Sequence, residues 1–152
     1  MAKGNKSKKS SVGRELARLL ADTYTVYLKT HGFHWNVTGP MFTTLHTMFE
    51  TQYTELALAV DEIAERIRAI GEPAPASYSE FAELTSIKEA RGVRSAEQML
   101  RELTADQDTI SAAARGVVAA AEKAGDAASA DLGVRRINTH DKNAWMLRSH
   151  LA

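Results

Sequence analysis

The strongest pattern in this chain is a stripe of apolar residues that recurs every three or four positions between residues 42 and 70. That spacing places the stripe on one side of an α-helix about eight turns long. Gly71 follows directly and supplies a residue at which such a helix can end. A long helix with a single apolar face packs against other helices, so the pattern predicts an α-helical bundle. The members of the stripe are Phe42, Leu45, Phe49, Tyr53, Leu56, Val60, Ile63, Ile67 and Ile70.

Three further stretches show helical spacing, and residues that break helices separate them. A loop over residues 72–78, which contains two prolines, leads into a short helix within the crossover. Four long helices with one long connection, between the second and the third, describe an all-α, ferritin-like four-helix bundle. The predicted long helices cover residues 12–36, 41–70, from near Ser95 to the break at Gly125, and 127–151, and the short one covers 79–84.

Composition favours helix and excludes several classes of protein. Alanine is abundant, whereas the 152 residues include nine glycines and three prolines. The chain has no cysteine, so it forms neither disulfides nor thiolate metal sites, and a reducing compartment is compatible with it. The first residues lack the apolar segment of a secretory signal, and no stretch has the ~18 apolar residues of a membrane span. We therefore expect a cytoplasmic protein.

The charges are unevenly distributed, although the formal net charge is zero. The first ten residues hold four of the 19 basic residues and no acidic one, which leaves 15 basic and 19 acidic residues in the rest. The same segment is polar and without helical spacing. We divide the chain into a flexible lysine-rich tail over residues 1–10 and a bundle over residues 11–152. The lysines of the tail are Lys3, Lys6, Lys8 and Lys9.

Five residues of types that bind metal ions lie too far apart for one chain to gather them around one ion. On a single helix, His46 and Glu65 would be separated by roughly 28 Å at a rise of ~1.5 Å per residue. A metal ion holds its ligands within about 2.0–2.2 Å. A helical wheel places those on the second helix on one flank, away from the bundle interior. No glutamate is followed three residues later by histidine, so the motif of an intrachain di-iron centre is missing. The five are His34, His46, Glu50, Asp61 and Glu65.

Two interpretations of these residues remain open. In one, the acids form a solvated charged face and the histidines have structural roles. In the other, two chains complete a site together. Antiparallel packing would make His34 and His46 neighbours, and Asp61 and Glu65 share one patch because they are four residues apart. A two-fold dimer would set the histidines of one chain against the acids of the other. Such ligands suit Fe²⁺, with Zn²⁺ or Mn²⁺ as competitors.

Several segments resemble the signatures of the Dps family, the mini-ferritins named for DNA protection in starved cells. The resemblance covers nearly the whole chain after the tail. It implies a hollow shell of twelve subunits with a ferroxidase site shared across the subunit interface. There Fe²⁺ would be oxidised, typically by hydrogen peroxide with oxygen as the alternative, and deposited as ferric mineral. The segments are residues 29–40 (KTHGFHWNVTGP), 45–50 (LHTMFE), 61–66 (DEIAER) and 145–149 (WMLRS).

The resemblance also implies roles for individual residues. His34 and His46 would come from one subunit, and Asp61 and Glu65 from its two-fold partner. Glu50 matches a further acidic ligand that is aspartate in some members, so its longer side chain leaves direct coordination open.

Three other residues match family positions near the site or the iron entrance. Trp35 falls at a tryptophan beside the site, where it would either transfer electrons and quench radicals or pack in the interface. Asp126 and Asp131 resemble the acidic lining of the iron-entry pore. Acids near the N-terminus of a helix are also favoured by the helix dipole, which is the alternative explanation for both.

A second function follows for the tail, because N-terminal lysines bind DNA in some members of the family. Lys3, Lys6, Lys8 and Lys9 would make non-specific, salt-sensitive contacts with phosphates; the alternative is a solubilising tail. Three hypotheses result: a ferroxidase and storage shell, a protein that primarily compacts DNA, and a bundle with a vestigial site. We expect the first two to operate together in a nucleoid-associated protein.

Overall fold

A computed structural model of the chain describes residues 9–152. Its five helices are α1 (Ser11–Asn36), α2 (Phe42–Ala69), α3 (Tyr78–Leu84), α4 (Ala96–Lys123) and α5 (Ala127–Ser149). Within the described range there is no β-strand. The four long helices pack around one apolar core, and α3 lies in the long connection between α2 and α4. Each helix from residue 9 onwards is too short or too polar to cross a lipid bilayer.

The predicted helices are confirmed, with bounds within one or two residues of those expected. Ser10 caps α1, because its hydroxyl oxygen accepts a hydrogen bond from the amide of Gly13 at 3.0 Å. Ser95 and Gln98 form a reciprocal capping box at the start of α4. Gly71 and Gly125 end α2 and α4 with φ angles of 91° and 69°, a conformation that favours glycine.

The apolar stripe of α2 supplies a large part of the core. Leu45, Phe49, Leu56, Ile63 and Ile67 are buried together with apolar residues of α1, α4 and α5. The first residue of the stripe, Phe42, is exposed where the helix begins, and Tyr53, Val60 and Ile70 are partly buried. The all-α, four-helix prediction therefore rests on the same residues that form the observed core.

The apolar pattern of α5, over Val134, Ile137, Ala144, Trp145 and Leu151, predicts its buried side only in part, since Ala144 is buried. The apolar pattern also assigns Val134 and Trp145 to the buried side, but these residues are 53% and 62% exposed. The side that faces the core instead carries Arg136 and His140, both buried, in addition to Leu147. Because two polar residues occupy core positions, the apolar residues alone give a misleading picture of how α5 is oriented.

Buried polar groups attach the long connection to α1. Oδ1 of Asp22 accepts hydrogen bonds from the hydroxyl of Thr85 and from the next backbone amide, both at 2.7 Å. Lys29 donates to the carbonyl of Lys88 at 2.9 Å and forms an ion pair with Asp106 of α4 at 2.7 Å. These contacts hold the connection against the bundle, together with the apolar packing of Ile87 and Phe81.

Candidate metal centre

The turn between α1 and α2 brings two of the predicted ligands together. Gly39, with a φ angle of 106°, lies in this turn, and α2 begins soon after it. The two helices then pack side by side in opposite directions. The rings of His34 and His46 stack with centroids 3.8 Å apart and planes inclined by 13°. The predicted proximity of these two histidines is confirmed.

Reciprocal hydrogen bonds orient the two imidazoles. Nδ1 of His34 lies 2.7 Å from the carbonyl oxygen of His46, and Nδ1 of His46 lies 2.7 Å from the carbonyl oxygen of His34. A carbonyl oxygen only accepts, so each Nδ1 carries a proton and donates it. The neutral ring then has its lone pair on Nε2, which has no hydrogen-bond partner among the described residues. Both rings are therefore in the tautomer that can bind a metal ion through Nε2.

A cluster of aromatic rings surrounds the histidine pair. The ring of Tyr53 meets that of His34 edge-on at 5.1 Å and lies 4.2 Å from that of His31. His31 also contacts Trp35, with ring centroids 4.0 Å apart. Neither His31 nor Tyr53 is among the sequence candidates. Their spacing does give a signal, since His31 precedes His34 by one helical turn and Tyr53 follows His46 by two.

The acidic candidates lie elsewhere on α2. Glu50, Asp61 and Glu65 are all exposed, and the Cα atoms of His46 and Asp61 are about 22 Å apart at the helical rise. Over residues 9–152, no three side chains of histidine, aspartate or glutamate approach closely enough to hold an ion. One subunit thus presents a histidine pair and, at a distance from it, an acidic patch.

The acidic patch shares its flank of α2 with an exposed apolar residue. Leu58 is 71% exposed, and it precedes Asp61 by three residues and Glu65 by seven. This spacing puts the three on one side of the helix. The leucine and the two acids together form a candidate surface for contact with a second chain.

The two predicted pore residues have partners within the subunit. Asp126 caps α5, since its Oδ1 accepts from the amide of Ser129, and it forms an ion pair with Arg66 at 2.9 Å. Burial opposes ionisation of Asp126, but the hydrogen bonds from Ser129 and the charge of Arg66 outweigh it, so its pKa is lowered. Asp131 is exposed and pairs with Arg135 one turn later. Their role in an entry pore stays a prediction.

The lysine-rich tail is described only at its end. Lys3, Lys6 and Lys8 lie outside the described residues, whereas Lys9 is exposed. The carbonyl oxygen of Lys9 accepts a hydrogen bond from Arg14 at 2.8 Å, which fixes the point where the tail meets α1.

Comparison with known proteins assigns the fold to one family. The sequence model of the ferritin-like domain (Ferritin) matches residues 14–152. DNA protection during starvation protein 2 from Bacillus anthracis is 39% identical over 136 residues, which cover 90% of this chain and 93% of that protein.

Two solved structures are similar over nearly their whole length. Dps from Staphylococcus aureus is 40% identical and superposes with a TM-score of 0.90, covering 93% of this chain and 95% of that one. The DPS protein from Vibrio cholerae O1, described as a member of a broad superfamily of ferritin-like diiron-carboxylate proteins, is 30% identical with a TM-score of 0.89, covering 93% and 89%. From its helical bundle, the position of its histidine pair and these matches, the chain belongs to the Dps family of ferritin-like proteins.

Proposed function

We propose that two subunits together form a ferroxidase site, with Fe²⁺ as the substrate. His34 and His46 of one subunit bind the ion through Nε2. Asp61 and Glu65 of the partner subunit supply carboxylate oxygens from across the interface. Glu50, one turn after His46, is in position to add a further acidic group.

The observation that carries this proposal is the geometry of the histidine pair. Each Nδ1–H is held by a backbone carbonyl at 2.7 Å, which fixes the tautomer and the direction of Nε2. Histidines that bind metal ions usually donate their other ring nitrogen to an oxygen in this way. Two histidines with a purely structural role would not require stacked rings whose Nε2 atoms both lack a hydrogen-bond partner among the described residues.

The types of ligand explain why the site would favour oxidation of Fe²⁺ to Fe³⁺. Carboxylate and imidazole donors are hard enough to stabilise Fe³⁺ more than Fe²⁺, so they make the loss of an electron easier. Few protein ligands leave positions open for the oxidant. With hydrogen peroxide, two Fe²⁺ lose one electron each, and one peroxide takes up both electrons and two protons to become two waters. This consumes both reagents that otherwise generate hydroxyl radicals.

Storage follows if the subunits enclose a cavity. We propose a homo-oligomeric shell of twelve subunits, in which Fe³⁺ hydrolyses and deposits as mineral. The support is the family to which the chain belongs and the separation of its histidine pair from its acidic patch, which requires at least a dimer. Zn²⁺ or Mn²⁺ would occupy the same donors as competitors.

Subunit mixing tests the shared site directly. One variant carries His34→Ala and His46→Ala, and the other carries Asp61→Asn and Glu65→Gln. Each alone should lose Fe²⁺ oxidation at the site. In a mixed two-fold dimer one site combines both defects and the other is complete, so random mixing should restore about a quarter of the native sites. Stopped-flow oxidation with peroxide measures the recovery.

A matched control is Glu62→Gln, which changes an acid next to Asp61 that pairs with Arg135 instead. It should oxidise Fe²⁺ at the native rate. If mixed dimers form, as mass spectrometry would establish, and remain inactive, the shared site is wrong. Native assemblies that never oxidise iron would favour the vestigial site.

We also propose that the tail binds DNA through phosphate contacts of Lys3, Lys6, Lys8 and Lys9. The sequence supports this by placing four cations and no acid in ten residues, and many tails on one shell would add their contacts by avidity. The alternative, a protein that primarily compacts DNA, differs in having little or no iron turnover.

Replacing the four lysines with alanine should weaken DNA binding and flatten its dependence on salt. For every lysine–phosphate pair that the substitutions remove, the slope of log Kobs against log salt should fall by about 0.9. Lys123→Ala with Lys142→Ala, two lysines of the bundle, serves as the control and should leave the slope unchanged. Unaltered binding by the tail variant would exclude the tail as the DNA-binding element, while its Fe²⁺ oxidation should stay native in either case.

A further inference from the structure

A second group of metal-binding residue types lies away from the histidine pair, where α2, α4 and α5 meet. Its central residue is Arg136, whose side chain is only 4% exposed. Nη1 and Nη2 of Arg136 donate to the two carboxylate oxygens of Glu55 at 2.6 and 2.9 Å. The same Nη2 lies 3.0 Å from Nε2 of His140. A buried guanidinium is thus enclosed by a carboxylate and an imidazole.

His140 has the hydrogen bonding of a metal ligand. Its Nδ1 lies 2.6 Å from Oε1 of Gln107, an amide oxygen that only accepts, so Nδ1 carries the proton. Nε2 therefore has the lone pair and accepts from Arg136. Burial and the nearby charge of Arg136 hold the pKa of His140 well below its ordinary value, so the ring is neutral. A neutral histidine fixed through Nδ1 is the form that binds a metal ion through Nε2.

Several buried polar atoms on the same three helices have no hydrogen-bond partner among the described residues. Both amide atoms of Gln52, one turn before Glu55, are buried and have no partner among the described residues. Nε2 of Gln107 and Nε of Arg136 are likewise buried without a partner. A bundle centre held by apolar packing alone would not contain these polar atoms. Each one that stays unpaired lowers the free energy of unfolding.

We propose that the guanidinium of Arg136 occupies a latent site for a first-row divalent metal ion, formed by Glu55 and His140, and thereby keeps such ions out of the bundle interior. Nη2 stands about 3 Å from both donors, and ligands of a metal ion lie at about 2.0–2.2 Å, so a shift of under 1 Å at each donor suffices. The side chain of Glu55 is 39% exposed, which gives an ion a route from solvent. Arg136 supplies the positive charge that holds α2 against α5 there, without any redox chemistry.

The inference does not depend on the proposed ferroxidase site and is tested in its absence. In a His46→Ala background, Arg136→Ala should bind about one additional Co²⁺ per subunit, detected by calorimetry and by visible absorption of the bound ion. Arg136→Lys, which keeps a cation, should bind none. Adding His140→Asn to Arg136→Ala should abolish the additional Co²⁺.

The matched control is Arg135→Ala, which removes the neighbouring arginine from Glu62 and Asp131, where no histidine is present. It should gain no Co²⁺. A folded Arg136→Ala variant that takes up no Co²⁺, or takes up as much with His140→Asn, would overturn the proposal. If Arg136→Ala is unfolded as isolated, Co²⁺ should restore its helical circular dichroism where Mg²⁺ does not. Failure of that rescue would overturn the proposal equally.

Discussion

Histidines in this bundle differ in the group that contacts Nε2. In His34 and His46 both Nδ1 atoms donate to carbonyl oxygens, and neither Nε2 atom has a partner among the described residues. In His140 the same tautomer is present, but Nε2 accepts from Arg136. The residue type is identical and Nδ1 carries a proton in all three, so the neighbour of Nε2 is what distinguishes them.

Gly13 has no side chain, and the space this leaves is used by a group that supports the start of α1. A Cβ atom built at this position would overlap the carboxylate of Glu72. That carboxylate accepts hydrogen bonds from the amide and the hydroxyl of Ser10, at 2.7 and 3.1 Å. Gly13 thus leaves room for the group that holds the cap residue in place.

Gly13→Ala should destabilise the protein by about 1–3 kcal/mol, since Glu72 must move and Ser10 loses two hydrogen bonds. The matched control is Gly32→Ala in the same helix, where a Cβ meets nothing within 4 Å. That variant should be stabilised by about 0.4–1 kcal/mol, because alanine has less backbone freedom to lose. Urea unfolding midpoints compare the two. An equal gain from both substitutions would show that Glu72 does not need the space.

Among the elements, α2 and α5 are joined largely by charged side chains. Each contact links an arginine of one helix to an acid of the other helix or of its N-terminal cap. The exposed pairs contribute little to the free energy of unfolding. The hydrogen bond from Arg135 is the main cause of the lowered pKa of Glu62. The contribution of this pair to stability is therefore full above the ordinary pKa of a glutamate and is lost as pH falls through the lowered pKa. The pairs are Arg66–Asp126, Arg135–Glu62 and Arg136–Glu55.

The connection between α2 and α4 depends on the buried acid Asp22. Replacement by alanine leaves the donors of Thr85 and Ser86 unpaired and should cost about 1–3 kcal/mol of the free energy of unfolding. Asp22→Asn keeps an accepting oxygen at Oδ1. It should therefore be neutral or stabilising at pH 7, since it also removes a buried charge. Chemical unfolding of both variants at pH 7 measures the difference.

The stability difference between Asp22→Asn and the native protein should depend on pH. Burial raises the pKa of Asp22, although hydrogen bonds from Thr85 and Ser86 partly offset this. Folding then disfavours the ionised carboxylate, a cost that is full above the raised pKa and absent below the unfolded pKa of about 3.9. The advantage of Asp22→Asn over the native protein should shrink as pH falls towards about 4. An advantage independent of pH would mean that the pKa of Asp22 is the same in the folded and the unfolded protein.

For the whole molecule, the exposed flank of α2 determines whether the candidate centre exists at all. Its acids are useful only if a second subunit brings histidines to them, and Leu58 lies exposed beside those acids. Burial of such a leucine in an interface is worth about 1.5–3 kcal/mol per side chain.

Leu58→Glu should therefore weaken assembly and abolish Fe²⁺ oxidation together, as light scattering and stopped-flow kinetics would record. Val93→Glu is the control, since Val93 is also exposed but lies in the long connection. It should change neither property. Dimers of Leu58→Glu that form normally would place the interface on another face.

The sequence by itself determined the helices, and it showed that His46 can share an ion with Asp61 and Glu65 only across two subunits. The apolar period of α2 fixes one helix face, and covalent spacing along that helix keeps His46 far from Asp61 and Glu65 in any fold of one chain. These conclusions need only the geometry of an α-helix.

Only the tertiary structure decided which side chains meet. The reciprocal hydrogen bonds of His34 and His46 depend on the conformation of the turn between α1 and α2. Tyr53 contacts His34 because α1 and α2 pack side by side in this register. Arg136 donates a hydrogen bond to His140 inside the core, so the apolar pattern of α5 predicts its buried side only in part. Such contacts join residues distant in sequence, and their partners are set by helix packing that no local pattern encodes.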